Sequence, residues 1–129
     1  MQAETLKFIS DVLTAENIPY DFMEYGESVA TVEHYWIGEY IEATTSNEDG
    51  MDEAQFILTG TGRSYLVLEV IKDKIKKLFP SVAGRQTTLS NGTTVAIFYG
   101  NAQNVPTNDA MLKRMQINLI IKEWKGTEA

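Results

Sequence analysis

The sequence predicts a single α+β domain in which a mainly antiparallel β-sheet carries two principal helices on one face. The first observation is the stretch from Met111 to Trp124, where apolar and polar residues alternate with the period of two expected of a strand that is buried on one face. Its apolar members are Met115, Ile117, Leu119 and Ile121. The second observation is a pair of segments whose apolar residues have helical spacing. The third is an Asn-Gly pair between β-forming residues.

Composition limits the classes of function. The 129 residues suit one domain spanning 1–129 with a core of its own. The chain has no cysteine, which excludes disulfides and thiolate metal sites and favours a reducing compartment, the cytoplasm. Its net charge of -7 disfavours specific nucleic-acid binding. Residues 1–30 lack a signal-peptide pattern, and no apolar run approaches the ~20 residues that a bilayer span needs, so no membrane partner is predicted.

Two helices are predicted. The first runs from Glu4 to Glu16, with its apolar residues on one side, and Asn17-Ile18-Pro19 ends it. The second runs from Tyr65 to Phe79, with Ser64 as its N-cap and Pro80 as its stop. Each helix has one apolar side and therefore needs a sheet to cover it.

The remaining segments predict strands and turns. Tyr35–Ala43 is a strand with Tyr35, Ile37 and Ile41 on one face and Trp36 and Tyr40 on the other, less obviously buried face. It pairs with Ala54–Thr59 across an acidic loop from Thr44 to Gly50. Asn91-Gly92 predicts a type I′ hairpin, and Gly100–Asp109 is predicted to be a turn-rich connector before the last strand. Tyr20–Tyr25 is predicted to be an aromatic connector.

Three motifs resemble binding sites and fail in detail. Thr59–Ser64 has glycines before a helix, as phosphate-binding loops do, but Arg63 occupies the lysine position and Ile57 the first glycine position of a P-loop. Thr45–Phe56 resembles a calcium loop without its leading aspartate and closing glutamate. His34 is the only histidine, which excludes a multi-histidine metal site. We therefore predict no catalytic residue, no cofactor and no metal, and expect a protein that is not an enzyme.

Protein contact is the chemistry that the residues favour. Aromatic and aliphatic side chains on exposed strand faces anchor protein interfaces, whereas the structural alternative is that a helix covers them. Charged residues of the acidic loop and of the last strand complete the candidate interface. The candidates are Trp36, Tyr40, Asp49, Asp52, Arg114, Ile120 and Trp124.

The order of elements resembles the tail terminator and tail-completion proteins of long-tailed phages and prophages. The resembling parts are Leu6–Tyr20, Tyr35–Phe79 and Thr94–Trp124, together with the segment from Tyr99 to Asp109. The resemblance implies a non-enzymatic virion protein, assembled in the bacterial cytoplasm, that forms a homo-oligomeric ring, expected to be a hexamer. Such a ring would terminate the tail tube, bind the tail tube protein and contact the head connector protein.

Two alternatives remain open at the level of sequence. The first is a small protein-binding adaptor that uses the same strand faces. The second, which has less support, is a nucleotide-binding enzyme that uses the turn from Gly60 to Ser64.

Overall fold

The computed structural model describes residues 1–24, 26, 33–42 and 50–125. They form a small α+β domain with one six-stranded, mostly antiparallel, curled sheet and two helices, as predicted. The elements in chain order are α1 (Ala3–Ala15), β1 (Tyr20–Phe22), β2 (His34–Glu42), β3 (Met51–Gly62), α2 (Tyr65–Leu78), β4 (Arg85–Thr88), β5 (Thr94–Val105) and β6 (Lys113–Trp124).

The sheet has the strand order β1-β2-β3-β6-β5-β4. Its centre is the long antiparallel pair of β3 and β6, which stays in register from Met51 opposite Trp124 to Gly62 opposite Lys113. Strands β1 to β3 therefore form one half of the sheet, and β4 to β6 form the other.

Both helices pack on the same face of this sheet. Strand β6 alternates as predicted, since Met115, Ile117, Leu119 and Ile121 are all buried. They share one core with the apolar sides of the two helices, which are Ile9, Val12 and Leu13 of α1 and Leu68, Ile71 and Ile75 of α2. The apolar stripe of each helix and the apolar face of β6 thus account for the layered architecture.

A buried carboxylate holds the start of α1 against the sheet. Glu123 of β6 is only 4% exposed, and its Oε2 accepts hydrogen bonds from the Thr5 hydroxyl at 2.5 Å and from the Gln2 backbone N–H at 3.2 Å. The first turn of a helix has unpaired N–H groups and a partial positive charge. Glu123 therefore supplies, from across the fold, an acceptor that the local sequence of α1 does not provide.

Strand β5 is longer than predicted. The prediction of a turn-rich connector from Gly100 is wrong as far as Val105, because β5 continues to that residue and pairs with β6 throughout. The register shifts between Tyr99 and Asn101, and a Cβ on Gly100 would lie 2.9 Å from the Asn118 carbonyl oxygen. A glycine at this bulge lets a polar segment continue as a strand.

Two local predictions also need correction. The Asn91-Gly92 hairpin is confirmed, but its turn is not type I′. A type I′ turn needs a positive φ at both residues, whereas only Gly92 has one, at 89°. The Asn91 side-chain oxygen accepts a hydrogen bond from the Thr93 N–H. The aromatic connector after α1 contains a short strand, β1, that pairs in parallel with β2. The rest of that connector includes Tyr25, which lies outside the described residues.

Candidate functional site

The face of the sheet that points away from both helices is the candidate site, and we call it the open face. Its side chains alternate along each strand with those of the core, and no helix in the described parts of the chain covers it. Along the four central strands it includes Tyr35, Ile37, Glu39 and Ile41 of β2; Glu53, Gln55, Ile57 and Thr59 of β3; Arg114, Gln116, Asn118, Ile120, Lys122 and Trp124 of β6; and Phe98, Asn101 and Gln103 of β5.

Aliphatic groups are exposed near the middle of the open face. Ile41 is 60% exposed and Ile120 is 37% exposed. The register places Ile41 opposite Gln55, and Gln55 opposite Ile120, so one row across three strands carries both isoleucines. They line a shallow depression of about 410 Å³, together with Glu42 and Glu53, and Asn101 and Asn118 border it on the β5 side.

Paired amide side chains flank this apolar row. Asn118 Nδ2 donates to Asn101 Oδ1 at 2.6 Å, and Gln103 Nε2 donates to Gln116 Oε1 at 3.3 Å. Each pair links β5 to β6 across the open face. A surface that combines exposed aliphatic groups with paired amides and a few charged side chains has the composition of a protein contact surface.

Three of the predicted interface residues lie on the open face. Ile120 belongs to the apolar row described above. Arg114 is half-buried, and its Nε donates to Thr61 Oγ1 at 3.4 Å. Trp124 is half-buried at the far end of β6, where it pairs with Met51 and Thr94.

The prediction that Trp36 is exposed is wrong. Trp36 is fully buried on the helix-covered face, because Gly60 directly opposite leaves room for its indole ring. Its Nε1–H donates to His34 Nδ1 at 3.1 Å, so the single histidine supports the core. Tyr40 lies on the same face, half-buried, with its ring stacked on that of Phe22 at 6.0 Å between centroids. Neither aromatic residue belongs to the open face.

The two acidic candidates are not brought together with the others. Asp49 lies outside the described residues, as do residues 44–48 of the predicted acidic loop. Asp52 is half-buried in β3, opposite the buried Glu123 and on the helix-covered face. Phe56, which stands at the closing position of the calcium-like loop, is fully buried in the core.

The glycine segment before α2 is strand, not a phosphate-binding loop. Gly60 and Gly62 pair with both β2 and β6, and neither has the positive φ found at Gly50, Gly84 and Gly92. The predicted N-cap is confirmed, since the Leu66 N–H donates to Ser64 Oγ at 3.2 Å. Gly60 of this segment therefore leaves room for the Trp36 ring, and the segment ends at Ser64, the N-cap of α2.

Sequence reasoning missed the amide pairs and Ile41. The sequence pattern predicts the alternation of β2 correctly, but it predicts the two faces in reverse, with Ile41 on the core side. Gly38 is the signal that could have corrected this: it shares a face with Trp36 and Tyr40, and a Cβ there would lie 2.4 Å from the ring of Phe56. A glycine between two aromatic residues indicates close packing on their own face.

Comparison with known proteins adds no further assignment. No protein-family model matches the chain, and a search of curated proteins finds no significant match. In the described part of the chain, no helix is long and apolar enough to cross a membrane.

Proposed function

We propose that this chain is a non-enzymatic structural protein of a phage or prophage tail, which forms a ring that terminates the tail tube and contacts the head connector. The open face is the single observation that carries the proposal. It offers exposed Ile41 and Ile120 beside neutral amide pairs on a β-sheet, a chemistry suited to contact with other proteins.

The element order supports the same proposal. A first helix, a β-hairpin, a second helix, an Asn-Gly hairpin and a long final strand are the layout on which the resemblance to tail terminator proteins rests. In this proposal the open face binds the tail tube protein, and the ring assembles in the bacterial cytoplasm before it becomes part of the virion.

Light scattering coupled to size-exclusion chromatography, over a concentration series, tests whether the chain forms a ring. We expect a discrete oligomer whose mass is an integral multiple of the 14.5 kDa subunit, and negative-stain images with a central hole. A monomer at every concentration, both alone and with tubes of a tail tube protein, would contradict the proposal. That result, together with capture of an unrelated host protein through the open face, would favour the adaptor.

A further inference from the structure

Charge is divided unequally along the chain. Residues 8–62 contain twelve of the eighteen acidic residues and no lysine or arginine. Residues 63–129 contain ten of the eleven basic residues and only five acidic ones. The net charge of -7 therefore combines a strongly acidic segment with a basic one.

Because of the strand order, the acidic segment forms one half of the sheet and the basic segment forms the other half. Strands β1, β2 and β3 come from residues 20–62, and β6, β5 and β4 come from residues 85–124. The two edge strands, β1 and β4, thus belong to segments of opposite charge. Among the described residues no further strand pairs with the outer side of either edge.

The acidic edge is formed by β1, β2 and the residues beside them. Glu24 and Glu33 are exposed there, whereas the carboxylate of the exposed Glu42 is paired with the N-terminal ammonium of Met1. The charge of Lys74 of α2 also acts on this edge, at His34 at the start of β2.

The basic edge is formed by β4, β5 and the end of α2. Arg85 of β4 is exposed, and its Nη1 donates to the Leu78 carbonyl oxygen at 3.5 Å, which places the end of α2 beside this edge. Lys76 lies 5.2 Å from the ring centroid of Tyr99 in β5. Lys72 is neutralised by Glu69 at 2.6 Å, whereas Lys76 and Arg85 have no carboxylate partner in the described part of the chain.

We propose that copies of this chain associate head to tail, with the acidic β1–β2 edge of one copy against the basic β4–β5 edge of the next. This inference rests on the proposed ring. A two-fold dimer through either edge would place like charges together, whereas a heterologous contact pairs opposite charges in every interface. Repeated by a rotation that closes, that contact generates a ring and leaves the open face of every copy free for another protein.

Charge reversal tests the proposal. Glu24→Lys with Glu33→Lys reverses the acidic edge, and Lys76→Glu with Arg85→Glu reverses the basic edge. Sedimentation velocity should show that each double variant needs a roughly tenfold or higher concentration to associate. An equal mixture of the two variants should associate as the natural chain does, because each copy then meets only oppositely charged neighbours.

A salt series and a matched variant test whether any change in net charge alone would alter association. Between about 0.1 M and 1 M salt the screening length falls from about 10 Å to about 3 Å, so association of the natural chain should weaken. Asp109→Lys changes the charge as much as Glu33→Lys does, but in the connection between β5 and β6, and should not weaken association. Glu24→Gln with Glu33→Gln, checked by circular dichroism, should give a smaller loss and serves if the reversed variants fail to fold.

The outcomes separate this inference from the proposed function. A ring that is insensitive to salt and to both reversals would overturn the edge contact and leave the proposed function standing. Failure of the mixed variants to associate, when each is folded, would also overturn the edge contact. A natural chain that never associates would overturn both.

Discussion

The hydroxyl of Tyr20 is buried and has no hydrogen-bond partner among the residues that the structure describes. Burial is the main cause that raises the pKa of this phenol, with the nearby Asp21 carboxylate adding to it. An unpaired buried hydroxyl costs free energy that a phenylalanine would not. We expect Tyr20→Phe to raise the free energy of unfolding by about 1 kcal/mol, measured by urea denaturation.

Tyr99→Phe is the matched control for Tyr20→Phe. The Tyr99 side chain is half-exposed, so the same substitution there should change stability by less than about 0.5 kcal/mol. A loss of stability in Tyr20→Phe would show that the Tyr20 hydroxyl is hydrogen-bonded after all and would contradict this prediction.

His34 makes stability depend on pH. Burial lowers its pKa below the ordinary value of 6.5; the charge of Lys74 also lowers it, whereas that of Glu33 raises it. The unfolded chain therefore takes up this proton at a higher pH than the folded chain does. Protonation of Nδ1 would also remove the acceptor for Trp36 Nε1–H. The contribution of His34 is complete above about pH 6.5 and should fall as the solution is acidified below that value.

His34→Asn tests this dependence, because its side-chain oxygen can accept from Trp36 without titrating. Urea denaturation between about pH 7.5 and pH 5.5, around the ordinary histidine pKa, should show a shallower loss of stability in the variant than in the natural chain. Parallel profiles would mean that His34 does not cause the effect.

At the scale of elements, the β2–β3 hairpin depends on glycines opposite aromatic rings. A Cβ on Gly60 would lie 2.5 Å from the Trp36 ring, which is fully buried and has little room to move. We expect Gly60→Ala to cost roughly 1–3 kcal/mol of stability, measured by chemical denaturation.

A double-mutant cycle identifies the cause of the Gly60→Ala effect. In a Trp36→Phe background the smaller ring leaves space, so Gly60→Ala should cost clearly less than in the natural chain. An equal cost in both backgrounds would place the effect elsewhere, for example in the backbone of β3.

The sequence predicted those elements whose local signals agree with the tertiary structure. Strand β6 and both helices follow from periodicity alone, because each buries one apolar side. The continuation of β5 through Gly100–Val105 could not be predicted, since a polar segment becomes strand only when β6 lies beside it. The prediction of which face of β2 is buried failed because both faces carry bulky residues. The close packing of Gly38 against Phe56 and of Gly60 against Trp36 identifies the face that enters the core.

The sequence predicted only those residues of the candidate site that lie on a strand with a clear local pattern. Arg114, Ile120 and Trp124 follow from the alternation of β6, the clearest signal in the chain. The Asn101–Asn118 pair depends on a register shift in β5 that no local pattern indicates. Trp36 was misplaced together with the faces of β2.

At the scale of the whole molecule, the proposed function requires that the open face govern contact with the tail tube and not folding. Ile41→Thr with Ile120→Thr keeps β-branched residues while removing exposed apolar groups. We expect the double variant to fold and to form rings as the natural chain does, but to lose most of its co-sedimentation with tubes of the tail tube protein.

Val82→Thr is the control for the open face. Val82 is 85% exposed in the connection between α2 and β4, so it offers an equally apolar side chain outside the sheet. Its substitution should leave co-sedimentation unchanged. Equal losses in Val82→Thr and in the open-face variant would argue for nonspecific adhesion.

The position of β6 also has a consequence for biosynthesis. This strand follows every other described strand in the chain, yet it lies between β3 and β5 in the sheet. A nascent polypeptide on the ribosome must therefore hold the β2–β3 hairpin with one long side unpaired until translation has passed Trp124. Such an unpaired side can recruit other chains. Messages truncated before β6 should consequently yield aggregates or degraded fragments instead of a smaller folded product.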